Sequence, residues 1–156
     1  MPLPNFFIVG APKCGTTSLA NWLSCHPEVF FPTIKEPHFF CDDLKNQTIT
    51  NWNEYSRLFS RARPATAIGE ASTWYLFSST AISNIEATIS GARYVVMTRD
   101  PVEMAQSLFH HNRRALYEDK DSLEAAWQLQ GIRKQGRCLP KACREPSYLQ
   151  YKEACS

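Results

Sequence analysis

Apolar and polar positions alternate along the chain in blocks that predict strands and helices in turn. Residues 5–10 form a short apolar run ending at glycine, which is typical of a strand buried on both faces of a sheet. After a loop, Leu19, Trp22 and Leu23 recur at helical spacing. Pro27 ends this helix because the residue before a proline disfavours helical geometry. The pattern predicts a central strand, a glycine-bearing loop and a helix.

The next part of the chain predicts a long excursion and a second strand and helix. Residues 28–63 are rich in proline and aromatic residues, and a brief helix is expected at residues 54–59. A short strand is predicted at residues 65–69, and isoleucines at helical spacing predict a helix over residues 82–89. Gly91 then stops that helix.

The clearest strand is predicted at residues 92–98, and it leads directly into another helix. The apolar face of this helix is expected to comprise Ala105, Leu108, Phe109 and Leu116. One more helix is predicted over residues 121–130. Alternating strands and helices favour an α/β fold, a three-layer arrangement around a parallel sheet, in a single domain over residues 1–156. Ligands of such folds bind at the carboxyl ends of the strands.

Composition narrows the class of protein. The 156 residues are 44% hydrophobic and 12% aromatic, which is enough for a globular core and excludes a disordered chain. We expect Trp22, Trp74 and Trp127 to lie in that core. A net charge of +2 is too small to indicate a nucleic-acid partner. No apolar run approaches the ~18 residues of a membrane span, and no signal-peptide pattern is present. We therefore expect a cytoplasmic protein without a membrane partner.

The loop after the first strand has the features of a phosphate-binding loop. Gly10 and Gly15 lie five residues apart, after a strand and before a helix. Backbone N–H groups and the helix N-terminus would face an anion there. A nucleotide triphosphatase would carry lysine directly after the second glycine, but Thr16 occupies that position and Lys13 lies inside the loop. On residue types alone, a solvated Lys13 and helix-capping threonines remain the alternative.

Two segments resemble the donor-binding motifs of the sulfotransferase family. Residues 12–19 (PKCGTTSL) resemble its 5′-phosphosulfate-binding motif, and residues 94–107 resemble its 3′-phosphate-binding segment. An arginine can bind a phosphate through paired charge-assisted hydrogen bonds, and a serine can add one more. The resemblance implies a P-loop-like fold whose donor-binding residues are Lys13, Cys14, Gly15, Thr16, Thr17, Ser18, Arg99 and Ser107. It also gives Lys13 a catalytic role at the leaving phosphate.

A third segment is similar to the part of heparan-sulfate-type and related bacterial sulfotransferases that supplies the catalytic base. This segment is residues 35–40 (KEPHFF), and the match makes Glu36 the first candidate for the base and His38 the second. As alternatives, Glu36 is a surface acid paired with Lys35, and His38 is a packed core histidine. Residues 70–75 resemble a segment that borders the acceptor in some members of the family.

The resemblance implies the transfer of a sulfuryl group from 3′-phosphoadenosine 5′-phosphosulfate (PAPS) to a hydroxyl or amine, with 3′-phosphoadenosine 5′-phosphate (PAP) as the product. The acceptor is expected to be a carbohydrate or a small molecule, and no metal is required because cationic side chains and backbone dipoles supply the positive field. Two other hypotheses are a P-loop kinase-like phosphotransferase and a non-catalytic nucleotide-binding fragment.

The resemblance also implies a fold that is incomplete at its C-terminus, because family members of this kind continue well beyond this length. Three interpretations stay open: a fragment of a longer enzyme, a degenerate paralogue, and a short form that completes its site as a homodimer. An incomplete sheet would expose an edge and favour self-association.

Overall fold

The computed structural model describes residues 1–62, 67–143 and 146–155. The chain forms two compact units, which are residues Met1–Thr98 and Arg99–Ser156. The expectation of a single domain over residues 1–156 stays a prediction.

The first unit contains strands and helices in alternation. In chain order its elements are β1 (Phe6–Gly10), α1 (Thr16–Ser24), β2 (Val29–Phe30), α2 (Trp52–Arg57), β3 (Ala67–Ala71), α3 (Ala81–Thr88) and β4 (Arg93–Val96). The strands form one sheet in the order β2-β3-β1-β4. All of the strand pairs are parallel, with Phe6 opposite Gly69 on one side and Arg93 on the other. β1 therefore has a neighbour on each side, as its unbroken apolar sequence predicts.

The two faces of β1 bury different side chains. Phe7 and Val9 face a core that includes Tyr55, Phe59 and Ile85, which come from α2, the turn after it and α3. Between them, Ile8 points to the opposite face and packs with Ala20 of α1. Because successive side chains of a strand point to opposite faces, a single apolar strand is covered by helices on both sides. This confirms the predicted α/β fold with helices on both faces of a parallel sheet.

The second unit is helical in the residues that the structure describes. Its elements are α4 (Pro101–Arg114), α5 (Leu123–Gln128), α6 (Gln130–Arg133), a 3-10 turn (Pro146–Leu149) and α7 (Tyr151–Ala154). The start of α4 has strong signals: Asp100 accepts hydrogen bonds from the N–H groups of Val102 and Glu103, and Pro101 occupies the first turn. An Asp cap of this kind contributes about 1 kcal/mol to helix stability.

A buried ion pair holds the second unit together. Arg133 binds both carboxylate oxygens of Glu118, at 2.6 and 2.8 Å, and both side chains have no exposed surface. The hydroxyl of Tyr151 in α7 donates to the same carboxylate at 2.9 Å. The hydrogen bonds from Arg133 keep the pKa of Glu118 low, although burial acts in the opposite direction. The pair thus joins α6 and α7 to the turn after α4.

Several sequence-based expectations are wrong in detail. β3 extends to Ala71 rather than ending at Gly69, while residues 65 and 66 lie outside the described residues. The helix predicted at residues 121–130 is divided between α5 and α6. Leu116 lies beyond α4 and is 73% exposed.

Two of the three tryptophans assigned to the core also lie at the surface. Trp22 is 75% exposed and Trp127 is 39% exposed, whereas Trp74 is buried. In α1, it is Ala20 that faces the sheet.

Candidate functional site

The phosphate loop, residues 10–17, begins where β1 ends. Gly10 accepts a hydrogen bond from the N–H of Met97 at 2.7 Å, and the N–H of Ala11 donates back to the Met97 carbonyl at 2.9 Å. A side chain at Gly10 would lie 2.7 Å from the Thr73 carbonyl oxygen and 2.9 Å from Leu76. Any residue with a side chain would therefore clash with Thr73 and Leu76 at this position, where the loop follows β1.

The loop ends at the N-terminus of α1. Gly15 has φ 81°, in the left-handed region, and its carbonyl accepts the first hydrogen bond of α1 from Leu19. Within the described part of the chain, no side chain caps this helix. The first N–H groups of a helix lack partners inside the helix and carry a partial positive charge. Groups of this kind can bind an anion, and the anion site in this loop stays a prediction.

The side chains of the loop differ in accessibility. Thr16 and Cys14 are buried, and the Cys14 thiol donates to the carbonyl of Pro12 at 3.5 Å. Thr17 and Ser18 are exposed on the first turn of α1. Of the predicted anion-binding hydroxyls, those of Thr17 and Ser18 are therefore the accessible ones, whereas the hydroxyl of Thr16 is buried.

All three predicted catalytic residues have a backbone conformation that most side chains avoid. Lys13, Glu36 and His38 have φ values of 65°, 57° and 50°, respectively. Such left-handed conformations are costly for residues other than glycine, and they occur preferentially at functional sites. Sequence spacing gave no indication of this shared feature.

The segment that carries Glu36 and His38 is tied to the end of β3. The N–H of Glu36 donates to the carbonyl of Ala71 at 3.0 Å. Two residues further on, the N–H of His38 donates to the hydroxyl of Ser72 at 3.1 Å. The carbonyl of Pro37, between them, accepts from the N–H of Thr48 at 3.0 Å. A segment far from β3 in sequence is thereby held at the carboxyl end of that strand.

The structure brings Glu36 and His38 together, with Lys35 beside them. Lys35 Nζ donates to Oε1 of Glu36 at 2.6 Å, and Nε2 of His38 lies 3.9 Å from Oε2 of the same carboxylate. The side chain of Glu36 is 35% exposed and that of His38 is 5% exposed. Burial lowers the pKa of His38, although the nearby Glu36 carboxylate partly offsets this effect. His38 Nε2 has no hydrogen-bond partner among the described residues.

The phosphate loop and the Glu36 segment lie at the same edge of the sheet. The loop follows β1, and Glu36 is bonded to the last residue of β3, which pairs with β1 in parallel. Carboxyl ends of neighbouring parallel strands meet at one edge, which is where α/β proteins bind ligands. Lys13 and Glu36 are thus placed on adjacent strand ends.

Arg99 and Ser107 belong to the second unit. Arg99 Nε and Nη2 both bind Oε2 of Glu103 at 2.9 Å, and this pair is solvent-exposed. An exposed pair one helical turn apart contributes little to stability. Ser107 is partly buried in α4.

Sequence reasoning missed a buried group of hydroxyl and carboxyl side chains behind this edge. Glu70, predicted to follow β3, lies within it and is fully buried. Its Oε2 accepts hydrogen bonds from the hydroxyls of Tyr55 and Tyr75, at 3.0 and 2.9 Å. Only the acidic residue in an otherwise apolar strand could have signalled this arrangement, because Tyr55 is distant in sequence.

A groove of about 130 Å³ opens next to the base candidate. It is lined by α1, by residues 31–35 and by Ala71, so Lys35 connects it to Glu36.

Within the described ranges, no helix combines the length and the apolar character needed to cross a lipid bilayer.

Comparison with known proteins identifies the same family that the motifs resemble. Residues 3–144 match the family model described as "Sulfotransferase domain". The structure is similar to the crystal structure of a sulfotransferase from Alicyclobacillus acidocaldarius, with a TM-score of 0.87 and 32% identity over 99% of this chain and 64% of that one.

Two curated proteins show similarity in sequence. The membrane-associated sulfotransferase kil1 of Dictyostelium discoideum is 29% identical over 118 residues, which are 76% of this chain and 25% of that protein. Human carbohydrate sulfotransferase 15 is 60% identical over 38 residues, which are 24% of this chain and 7% of that protein. The matched regions thus span a quarter or less of these two relatives.

Proposed function

The chain belongs to the sulfotransferase domain family, and from this premise we propose that it transfers a sulfuryl group from PAPS to a hydroxyl or amine of an acceptor. The observation that carries the proposal is the placement of a cationic phosphate loop and an accessible carboxylate on the ends of adjacent strands. These are the two parts that sulfuryl transfer needs, one at the leaving group and one at the nucleophile.

The phosphate loop fits the 5′ end of the donor. Unpaired N–H groups at the start of α1 would bind the 5′-phosphate, with the hydroxyls of Thr17 and Ser18 on the same turn. Lys13 lies in the loop itself, so its ammonium group would face the oxygen that bridges phosphorus and sulfur. Negative charge develops on that oxygen as the bond to sulfur breaks, and a nearby cation stabilises it. Arg99 and Ser107 would bind the 3′-phosphate.

Glu36 is the better candidate for the base. The acceptor oxygen or nitrogen attacks sulfur as its proton passes to a carboxylate, the new bond to sulfur forms, and the bond from sulfur to the 5′-phosphate oxygen breaks. The base must touch the acceptor, and Glu36 is seven times as exposed as His38, at 35% against 5%. His38 instead lies behind the carboxylate, where burial lowers its pKa and favours the neutral imidazole.

The acceptor that we propose is a carbohydrate. One relative is named a carbohydrate sulfotransferase, and Lys35, which lines the groove, is hydrogen-bonded to Glu36. A lysine at the rim suits a sugar that already carries negative charge.

Calorimetric binding tests the donor site. PAP and ATP are titrated, with and without magnesium, into the wild type, Lys13→Ala and Arg99→Ala, with Lys141→Ala and Arg61→Ala as controls because both of these residues are exposed. The proposal requires metal-independent preference for PAP, which both site substitutions weaken and both controls preserve. Magnesium-dependent binding of ATP in preference to PAP would overturn it and favour a kinase.

A further inference from the structure

A fully buried carboxyl group lies on the strand whose end holds the proposed base. The Glu70 side chain has no exposed surface, and burial raises its pKa to about 7 despite hydrogen bonding from neighbouring hydroxyls. Its Oε1 lacks a hydrogen-bond partner among the described residues. A buried acid with an unsatisfied oxygen costs stability that an apolar residue would not. The transfer step derived above gives this residue no role.

Tyr75 connects Glu70 to the segment that carries the base. The Tyr75 hydroxyl donates to Glu70 Oε2 at 2.9 Å and accepts from the N–H of Phe40 at 3.3 Å. A phenol has a single proton to donate. Since the carboxylate takes that proton, the lone pairs of the hydroxyl are directed to the N–H of Phe40. Glu70 therefore sets the orientation of the hydroxyl that holds Phe40.

Ser72 makes the corresponding contact with His38. It lies two residues after Glu70 and directly follows the last residue of β3. The buried Ser72 hydroxyl accepts from the N–H of His38 at 3.1 Å. The same hydroxyl lowers the pKa of Glu70, as expected of a donor close to a carboxylate. Both ends of residues 38–40 are thus held by hydroxyls that flank Glu70.

The need for such restraint is visible in the backbone. Glu36 and His38 have φ values of 57° and 50°. Conformations of this kind persist only where surrounding contacts hold them. Small changes in those contacts would move the carboxylate that must meet the acceptor, and displacements of about 1 Å reduce rates substantially.

We propose that Glu70 is a positioning residue for the transfer step, which orients the hydroxyls of Ser72 and Tyr75 so that they hold residues 38–40 and the adjoining Glu36. The expected effect of Glu70 on the rate of transfer rests on the proposed function, whereas its expected effect on the position of residues 38–40 does not. The titratable groups that influence Glu70 are Tyr55, Tyr75 and Glu36, and those that influence His38 are Glu36 and Lys35.

The chain offers a matched pair of substitutions. Tyr55 and Tyr75 both donate to Glu70 Oε2, at 3.0 and 2.9 Å. The phenol of Tyr75 also accepts from the N–H of Phe40, whereas Tyr55 contacts this segment through its ring, which stacks on Phe39 with a centroid distance of 4.5 Å. Phenylalanine retains the ring in both cases. Tyr75→Phe therefore breaks the connection to Phe40, and Tyr55→Phe removes one donor to Glu70 and keeps that connection.

The test measures amide hydrogen exchange at His38 and Phe40, and the titration of the His38 imidazole, by NMR of the ligand-free chain. Tyr75→Phe should accelerate exchange at Phe40 about tenfold, and Ser72→Ala should do so at His38, because each loses one hydrogen bond. Glu70→Gln should accelerate exchange at both amides and shift the titration of His38. Tyr55→Phe should leave both amides within about twofold of the wild type.

Two results would overturn the proposal. One is a folded Glu70→Gln variant with wild-type exchange at both amides and an unchanged His38 titration. The other is equal acceleration in Tyr55→Phe and Tyr75→Phe, which would show general loosening of the core. Tyr75→Phe and Ser72→Ala decide the matter if Glu70→Gln does not fold.

An activity measurement separates this proposal from the proposed function. If PAPS-dependent transfer is observed, Glu70→Gln should lower kcat and leave the Kd for PAP unchanged. If the wild type transfers no sulfuryl group to any acceptor, the proposed function fails, and the exchange data still decide whether Glu70 positions residues 38–40.

Discussion

The imidazole Nε2 of His38 lies 3.9 Å from Oε2 of Glu36, and each residue is joined to the end of β3 by its own hydrogen bond. Their exposures differ, at 5% for the histidine and 35% for the carboxylate. A group that takes a proton must reach it, whereas a buried group acts by orienting its neighbour. The pair thus consists of an accessible carboxylate with a buried imidazole behind it.

The first prediction follows from this division of roles. Glu36→Gln should lower kcat for sulfuryl transfer by about 10²–10⁴-fold, because the amide cannot take the acceptor proton. His38→Gln should cause a smaller loss. Steady-state transfer assays and PAP calorimetry on the same preparations provide the measurement, and donor affinity should be unchanged in both variants. Glu28→Gln, at an exposed position of the same unit, is the control. A larger loss in His38→Gln would assign the base to the histidine.

The second prediction concerns pH and Glu70. Burial raises the pKa of Glu70 to about 7, from 4.5 in a solvated chain. The folded state therefore binds this proton more tightly than the unfolded state does. The resulting stabilisation is complete below pH 4.5 and is lost as the pH rises through about 7. Glu70→Gln has no carboxyl proton and therefore does not lose this stabilisation. The free energy of unfolding of the variant minus that of the wild type should increase by about 2–3 kcal/mol as the pH rises from 5 to 8.

Urea unfolding at a series of pH values measures this difference. The lowered pKa of His38 acts in the opposite direction, since a buried neutral imidazole loses stability as the pH falls below 6.5. Because Glu70→Gln is expected to shift the titration of His38, the contribution of His38 is taken from the NMR titration of each protein and subtracted. Parallel pH profiles for wild type and Glu70→Gln would show that Glu70 titrates normally in the folded chain.

Local patterns were sufficient to predict the order of the elements in the first unit except for β2, which lies in the segment predicted as an excursion without a strand. β1 and α1 carry unbroken periodicities, and glycines mark the loop between them, so this corner lies where expected. The end of β3 was misplaced because Glu70 interrupts the apolar run. A carboxylate fits inside that strand only because Tyr55 and Tyr75 supply hydroxyls to it. Tertiary contacts decide such positions, and spacing along the chain does not report them.

The same limit applies to the candidate site. Glu36 and His38 could be predicted because they lie in a recognisable segment. Their attachment at the end of β3 depends on Ala71 and on Ser72, which is 34 positions from His38. The prediction that Trp22 lies in the core is wrong for a different reason. Trp22 follows the helical repeat of Leu19 and Leu23, yet it is 75% exposed, because the smaller Ala20 packs against the sheet.

The third prediction concerns the ion pair of the second unit. Glu118→Gln or Arg133→Leu should lower the free energy of unfolding by about 3–5 kcal/mol, because each removes one member of a buried ion pair. Asp119 also lies 3.4 Å from Arg133, but its side chain is 52% exposed. The side chains of Glu118 and Arg133 have 0% exposure, and Arg133 binds both oxygens of Glu118. Replacing both residues with apolar side chains should cost less than either single change. Urea unfolding followed by circular dichroism provides the values.

The matched control is an ion pair at the surface. Arg113 binds Asp121 at 2.9 Å, but the aspartate side chain is 98% exposed. Asp121→Asn should therefore cost less than about 1 kcal/mol. Similar losses in Asp121→Asn and Glu118→Gln would contradict the importance of burial.

The fourth prediction compares the two glycines of the phosphate loop. A methyl group at Gly15 would lie 3.7 Å from the Met97 side chain, which is an ordinary contact distance. Gly15→Ala should therefore cost only the strain of a left-handed backbone, about 1 kcal/mol. At Gly10 a methyl group would lie 2.7 Å from the backbone oxygen of Thr73. Gly10→Ala should therefore cost about 3 kcal/mol or more, since strand or turn must move. Gly131→Ala, at a helical glycine with no neighbour within 4 Å, should stabilise by up to about 1 kcal/mol. Equal costs at positions 10 and 15 would mean that conformation, and not the close approach of the backbone at Thr73, decides where this loop needs glycine.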